Sequence, residues 1–237
     1  MARKAARSKA RGSAARSTAA GKPARDTIID AFMDMLAEQS FEQIGFGDIA
    51  ERTGLSLADL RAEFDSTLAI LAAQIKETDR KVLAGADPDM AEESPRERLF
   101  DVLMRRLELL TPHKPAVRSL LRSATRNPGL ALALNGLGVR SQQWMLTAAG
   151  INASGPKGML RAQGLALLFA NALRTWVDDE DEGLSRTLAA LDRELARGQR
   201  MVGLLDGLCA IPERACEVMN GARRARRRRD RDDMATA

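Results

Sequence analysis

The sequence predicts an all-helical protein, and three observations lead to this fold class. Ala, Leu, Arg, Glu and Met, all good helix formers, are abundant among the 237 residues, whereas β-branched residues are few. Apolar residues recur at intervals of three and four, which is the period of one helix face. Gly, Pro and Asn separate these periodic segments. We therefore expect about nine helices, arranged as a small N-terminal domain and a larger C-terminal bundle.

The N-terminal domain is expected to span 24–84. Its predicted helices run from Arg25 to Gln39, over 48–52, over 57–64, and from Ser66 to Leu83. Gly54 is suited to end the second helix in the left-handed conformation. Ser56 is expected to cap the third helix, with Asp59 three positions later completing a capping box.

A stretch rich in Gly, Pro and acidic residues, 84–95, is the clearest boundary in the chain. Beyond it, residues 94–211 are expected to form the larger helical domain. Its helices are predicted near 95–110, 114–126, 128–149, 155–178 and 184–205. Residues 212–237 are predicted to hold a short helix and an Arg-rich tail.

The net charge of +5 is unevenly distributed along the chain. Residues 1–25 contain eight Lys or Arg and no acidic residue, and 221–237 contain seven Arg against three Asp. The intervening residues, 26–220, hold 22 basic and 29 acidic residues. Basic ends of this kind bind nucleic acid or serve as solvated, disordered ends. The composition of 1–25 also fits a mitochondrial transit peptide, but we favour a disordered basic arm that spans 1–23 over a transit peptide.

Three short helices with a tight turn between the second and third are typical of a helix-turn-helix, in which the third helix enters the major groove of DNA. Ile49 and Leu60 supply apolar core residues, and Gly54 provides the turn. The small side chains of Ser56 and Ala58 allow the third helix a close approach to DNA. The pattern therefore predicts a DNA-binding domain.

Residues 27–71 resemble the DNA-binding domain of the TetR family of transcriptional regulators. The matching pieces are the sequence Phe-Glu-Gln-Ile at 41–44, the run from Asp48 to Ser56, and Leu60 and Phe64 ahead of a helix that begins at Ser66. The resemblance implies a homodimer whose third helices bind an inverted-repeat operator. It further implies that 94–211 carry the dimer interface and the pocket for a small apolar effector, whose binding releases a repressor from double-stranded DNA.

The residues expected to bind DNA lie in the arm and around the third helix. They are Lys22, Arg25, Arg52, Ser56, Leu57, Ala58, Asp59, Arg61, Ala62 and Thr67. Arg61 stands where the family has an aromatic residue, and Thr67 where it has Lys. Residues 26–70 hold two basic and ten acidic residues, which is a poor electrostatic match to phosphate. Either the basic arm compensates for these charges, or the fold has lost DNA binding.

Apolar stripes in the larger domain offer candidate residues for the effector pocket. They lie on three predicted helices and are Phe100, Met104, Trp144, Met145, Phe169 and Trp176. Such stripes form either the core of a helical bundle or the lining of a pocket between its helices. The sequence leaves both interpretations open.

A second resemblance concerns Arg174 to Asp179 and Thr187 to Asp192, where an apolar helix ends at a Trp and an acidic turn precedes the last helix. This arrangement is similar to TetR-fold lipid-binding accessory proteins of ubiquinone biosynthesis. The resemblance implies that isoprenoid lipid is bound, that a hydroxylase is assisted and that genes are not regulated. It also implies a membrane-touching helix, for which 201–220 followed by the Arg-rich 223–231 are suited. We favour the regulator and keep the lipid-binding protein as the alternative.

The sequence contains no pattern typical of an enzyme. It has no Gly-rich phosphate loop, no His and carboxylate pair at metal-ligand spacing, and no nucleophile next to a base. Its two cysteines, Cys209 and Cys216, lack the further ligands that zinc requires. We therefore expect no catalysis, no cofactor and no metal, and we expect a cytoplasmic protein because no secretory signal or apolar run of about 18 residues is present.

Overall fold

The computed structural model describes residues 23–200, and within this range it contains helices and turns but no strand. The helices are α1 (Ala24–Glu38), α2 (Phe46–Thr53), α3 (Leu57–Glu63), α4 (Thr67–Ala84), α5 (Pro95–Leu110), α6 (Lys114–Arg126), α7 (Pro128–Ala148) and α8 (Gly155–Trp176). Residues 185–200 are helical as well and form α9. Short 3-10 helices lie at Phe41–Gln43, Pro88–Glu92 and Thr111–His113. The all-helical fold class is confirmed.

Some of the sequence predictions concern residues outside this range. They are the basic arm with Lys22, the end of the helix predicted near 184–205, the membrane-touching helix suggested for 201–220, the two cysteines, and the short helix and Arg-rich tail of 212–237.

Local capping signals explain where the short N-terminal helices begin and end. Gly54 ends α2 with a φ of 69°, the left-handed conformation that glycine adopts without strain. Ser56 caps α3, because its Oγ accepts a hydrogen bond from the Asp59 amide at 3.1 Å. The prediction for α2 was too short. The Asp48 carboxylate accepts a hydrogen bond from the Gly45 amide at 2.8 Å, so the helix begins at Phe46 rather than at 48.

The described residues form two hydrophobic cores, one mainly from helices before the 84–95 boundary and one mainly from helices after it. The first core is formed mainly by the four helices α1, α2, α3 and α4. It includes Phe32 and Leu60, both fully buried. The second joins α5, α7, α8 and α9 and includes Trp176, the largest fully buried side chain among the described residues. Helix α4 belongs to both, since Ile70 lies in the first core and Val82 in the second.

Helix α6 connects the two cores. Ala116 is buried within the first core, although it lies far beyond the boundary in sequence. The Ser119 hydroxyl donates to the backbone carbonyl of Gln39 at 2.8 Å. The Phe41 amide donates to Ser123 Oγ at 3.2 Å. These contacts fix the end of α1 against the larger bundle.

A buried ion pair lies where α4, α5 and α7 meet. The Arg106 guanidinium donates to the Asp79 carboxylate, and the Ser141 hydroxyl donates to the same oxygen at 2.9 Å. The guanidinium also lies 5.5 Å from the ring centroid of Phe169 on α8. All three polar side chains are buried. This cluster therefore ties four helices together around one carboxylate.

Gly158 lies in the first turn of α8, where a Cβ atom would overlap the backbone carbonyl of Ala153. We expect Gly158→Ala to lower the free energy of unfolding by about 1–3 kcal/mol, as overpacking does. At Gly164 on the same helix, a Cβ atom would have no neighbour within 4 Å. The control Gly164→Ala should therefore stabilise the protein by about 0.5–1 kcal/mol. Urea unfolding followed by circular dichroism measures the free energy of unfolding of both variants. Equal changes in the two variants would contradict the expected overlap at Gly158.

Candidate nucleic-acid interface

Helix α3 presents a small, open face to solvent. Its inner side is held by Leu60, which is buried against Ile49 and the rest of the first core. Its outer side exposes Leu57, Ala58 and Ala62, with Leu57 60% exposed. Because these side chains are short or apolar, the α3 backbone can come close to a groove wall and contact base edges and thymine methyl groups. The structure thus leaves three of the expected DNA-binding residues exposed on α3, with Ala58 and Ala62 one turn apart on the side opposite Leu60.

The arginines expected to bind DNA each pair with a carboxylate of the same domain. Arg52 on α2 donates twice to Glu38 on α1, at 3.1 and 2.5 Å. Arg61 pairs with Asp65 one turn further on. These side chains are exposed, so the pairs are weak and a DNA phosphate can compete for the guanidinium groups.

Arg25, the third of these arginines, joins the start of α1 to the end of α3. Its Nη1 lies 3.5 Å from Glu63 Oε2 and donates to the Glu63 carbonyl at 3.4 Å. Its guanidinium stacks 4.5 Å from the ring centroid of Phe64. The position of this cation beside the α3 face was not evident from the sequence, because Arg25 and Glu63 lie 38 positions apart.

Hydrogen bonds keep two acidic residues of this region ionised. Those from Arg52 lower the pKa of Glu38. Those from the Ser56 hydroxyl and amide lower the pKa of Asp59, which turns its carboxylate toward the helix cap. Asp59 therefore acts as part of the cap of α3. Thr67 is the half-buried first residue of α4, and Lys22 lies outside the described residues.

The six candidate pocket residues occupy two different environments. Met145, Phe169 and Trp176 are buried together in the second core, and Phe100 and Met104 pack against them half-buried. Trp144 instead is 59% exposed on the outer side of α7. None of the six lines either of the two cavities described below, which lie within residues 23–200.

The larger cavity is a polar groove of about 830 Å³ between the end of α1, the 3-10 helix Phe41–Gln43, α6 and the start of α7. Arg118, Arg122 and Arg126 line it at four-residue spacing. This four-residue spacing of arginines is visible in the sequence and could have indicated a basic surface. We did not predict this surface from the sequence. The smaller cavity, about 210 Å³, lies between α4 and α5 and includes Met90, Arg98 and Val102.

The acidic turn after Trp176 serves as a cap for α9. The Asp179 carboxylate is buried and accepts hydrogen bonds from the Thr187 amide and hydroxyl at 2.8 and 2.6 Å. These hydrogen bonds lower the pKa of Asp179, the one from the hydroxyl most strongly. Lys114 donates to the Asp179 carbonyl and lies 5.3 Å from the Trp176 ring centroid. The turn is therefore a packed connection between α8, α9 and α6.

The short capped helices, the exposed face of α3 and the larger bundle together define the fold of TetR-type regulators. The TetR transcriptional regulator from Nitrosomonas europaea superposes with a TM-score of 0.59 at 22% identity, covering 75% of this chain and 99% of that one. A TetR-family regulator from Syntrophomonas wolfei has a TM-score of 0.53 at 12% identity, covering 75% and 94%. One from Rhodococcus sp. RHA1 has a TM-score of 0.50 at 20% identity, covering 72% and 95%. No protein-family model matches the chain, and no curated protein matches its sequence.

Proposed function

We propose that this protein is a cytoplasmic transcriptional regulator that binds double-stranded DNA as a homodimer. In this proposal the two copies of α3 contact an inverted-repeat operator, and a small apolar effector releases the repressor. The observation that carries the proposal is the open face of α3, where Leu57, Ala58 and Ala62 are exposed on a helix that Ser56 caps. The fold, which this chain shares with known regulators, supports it.

The charges of the domain assign a particular role to the basic arm. Residues 26–70 carry ten acidic and two basic residues, and their arginines already have carboxylate partners. Phosphate neutralisation provides much of the affinity of proteins for DNA. In the proposed complex the cations of 1–25 therefore neutralise phosphates, while α3 contacts the bases.

The proposal is tested with fluorescence anisotropy of labelled DNA from upstream of the protein's own coding region, at low salt. We expect the full chain to bind and Ala58→Glu to bind about tenfold or more weakly, because a carboxylate then faces the groove. The matched control is Ala189→Glu, which changes another exposed alanine, on α9. Failure of the full chain to bind at low salt, or equal weakening by both variants, would contradict the proposal.

Glu63→Gln is expected to strengthen DNA binding. The substitution removes a negative charge beside α3. It also frees the Arg25 guanidinium, which pairs with the Glu63 carboxylate in the unbound protein. The slope of log K against log salt should become steeper by about 1, the contribution of one additional phosphate contact. Glu77→Gln is the control, since it removes an equal charge from the exposed pair with Arg80 on α4. Equal slopes for the two variants would exclude a local role for Arg25.

The acidic charge of 26–70 also supports a second candidate, a TetR-fold lipid-binding accessory protein with little or no DNA binding. This candidate predicts that isoprenoid lipid copurifies with the protein and is detected by mass spectrometry of an organic extract. It also predicts that removal of 201–237 abolishes binding to liposomes. Absence of extracted lipid together with unchanged liposome binding after truncation would count against it.

A further inference from the structure

A polar groove lies between the end of α1 and α6. It has a volume of about 830 Å³ and also includes the 3-10 helix Phe41–Gln43 and the start of α7. We call it the α1–α6 groove. Of the residues that line it, only Ala37, Pro115 and Pro128 are apolar. Small-molecule sites have volumes of about 300–1,000 Å³, so the groove is large enough for a ligand, and its lining suits a polar one.

One wall of the groove is basic because of the sequence of α6. Lys114, Arg118, Arg122 and Arg126 follow one another at intervals of four residues, and the helix contains no acidic residue. The acid-free stretch extends well beyond the helix, since no Asp or Glu occurs between 109 and 177. Side chains four residues apart lie on the same side of a helix. The four cations therefore form one basic stripe along α6.

The two halves of this stripe differ in their contacts. Lys114 and Arg118 each donate to a backbone carbonyl of the turn that follows α8. Arg122 and Arg126 are exposed, and no carboxylate of the described residues lies within ion-pair distance of either. The part of the stripe that faces the groove thus has two guanidinium groups available to an external anion.

The carboxylates of the groove already have hydrogen-bond donors within the protein. Glu38 accepts both hydrogen bonds from Arg52. Glu42 accepts one from the Asn127 side chain at 3.2 Å. A hydrogen bond from its own backbone amide lowers the pKa of Glu42 most strongly, and Asn127 and the charge of Arg126 lower it further. Both carboxylates are thus compensated internally, which leaves the α6 arginines to bind an anion.

Contacts between its walls fix the shape of the groove. The Ser119 hydroxyl of α6 donates to the Gln39 carbonyl at 2.8 Å, which holds the end of α1 in place. On the 3-10 helix, Gln43 Oε1 accepts hydrogen bonds from the Ser40 amide and hydroxyl at 3.2 and 2.8 Å. Gln43 Nε2 has no acceptor among the described residues, so it is available as a neutral donor. A site that is formed before its ligand arrives loses little conformational freedom on binding.

We infer that the α1–α6 groove binds a small molecule that carries a diphosphate group. Arg122 and Arg126 are about one helical turn apart, with about 6 Å of rise between them. A guanidinium group binds phosphate through two parallel hydrogen bonds, and two such groups at this spacing suit the two phosphates of a diphosphate. The volume of the groove leaves room for an attached polar group such as a nucleoside. The site is separate from the apolar effector pocket proposed above, and it does not require that the protein binds DNA.

Duplex DNA, another source of phosphate groups, fits the groove less well. The phosphates of a duplex lie on a convex surface, whereas the groove is a cleft between helices. The two arginines also belong to α6, in the larger bundle, and not to the helix-turn-helix. The experiments below distinguish DNA from a small ligand.

ADP is the probe for isothermal titration calorimetry of the full chain, in physiological salt without phosphate buffer or divalent cations. We expect one ADP to bind per chain and inorganic pyrophosphate to compete with it. Adenosine, which lacks the phosphates, should not bind. The salt screens weak attraction of anions to the Lys- and Arg-rich ends of the chain.

Two double variants locate the binding site. Arg122→Gln with Arg126→Gln should weaken ADP binding about tenfold or more, because both charge-assisted contacts to phosphate are lost. The matched control is Arg193→Gln with Arg197→Gln, which changes two exposed arginines at the same spacing on α9 and should leave ADP binding nearly unchanged. All four arginines are exposed, so circular dichroism should show the same helical content for both variants.

Hydrogen exchange locates the ligand without any substitution. Bound ADP should slow the exchange of backbone amides in 39–43 and in the last turn of α6, and it should leave 193–200 unchanged. Exchange reports the local opening of each segment, and a ligand that contacts both walls of the groove opposes that opening.

Three results would overturn the inference. The first is failure of ADP and pyrophosphate to bind the full chain, and weaker duplex binding by the Arg122 and Arg126 variant would then make the two arginines a DNA contact. The second is equal weakening of ADP binding by the two double variants, which would assign it to the general positive charge of the chain. The third is slower exchange only in segments outside the groove, which would place ADP elsewhere.

Discussion

Deletion of residues 1–22 is expected to remove most of the affinity of the protein for operator DNA. The deleted segment contains seven Lys or Arg and no acidic residue. What remains of the N-terminal domain is dominated by acidic residues and by arginines that are already paired. If all seven cations contact phosphate, the slope of log K against log salt should fall by about 6 units. Titrations of labelled operator at several salt concentrations measure this slope.

Deletion of 221–237 is the matched control for this experiment. It also removes seven arginines, together with three aspartates, from the other end of the chain. We expect it to change the slope much less, because only the arm directly precedes α1 and the helix-turn-helix. Equal losses for the two deletions would mean that the basic ends attract DNA without positioning α3.

Arg106→Ala is expected to destabilise the protein more than any of the other single substitutions proposed above. It leaves the Asp79 carboxylate buried, with the Ser141 hydroxyl as its remaining hydrogen-bond donor. Removing one partner of a buried ion pair lowers stability by about 3–5 kcal/mol. The free energy of unfolding from urea titrations measures the loss. A loss below about 1 kcal/mol, the range of exposed pairs, would contradict the expected burial of this charge.

Two further variants separate the ion pair from general effects of removing an arginine. Arg80→Ala breaks an exposed pair with Glu77 and should lower stability by less than about 1 kcal/mol. The double variant Asp79→Leu with Arg106→Met replaces both charges by apolar side chains. It should recover most of the stability lost in Arg106→Ala, because no buried charge is left unpaired. The double-mutant comparison isolates the contribution of the pair.

The local structure of the N-terminal domain could be predicted because its signals lie within a few residues of one another. Gly54 at the end of α2 and the Ser56 and Asp59 cap of α3 are examples. The helices of the larger domain could be placed for the same reason, since proline and asparagine mark where they begin. Pro95 and Asn127 are at the start of α5 and α7.

The contacts between distant parts of the chain could not be predicted. Asp79 and Ser141 lie 62 positions apart, and no local pattern indicates that they share a hydrogen bond. For the apolar stripes, the sequence likewise does not show which side chains face the core. Trp144 and Met145 are adjacent in the sequence, yet Trp144 is exposed and Met145 fully buried. A helix turns about 100° per residue, so the side facing the core depends on which neighbours α7 has acquired.

The position of Ala116 in the first core has a consequence for how the protein folds during synthesis. Helix α6 and Leu134 of α7 complete the apolar surface of the N-terminal helices, although they follow α4 by many residues. A nascent chain that has emerged only as far as α4 therefore exposes part of that core to solvent. The N-terminal unit becomes complete once the chain has left the ribosome as far as Leu134, and until then its apolar surface is open to chaperones.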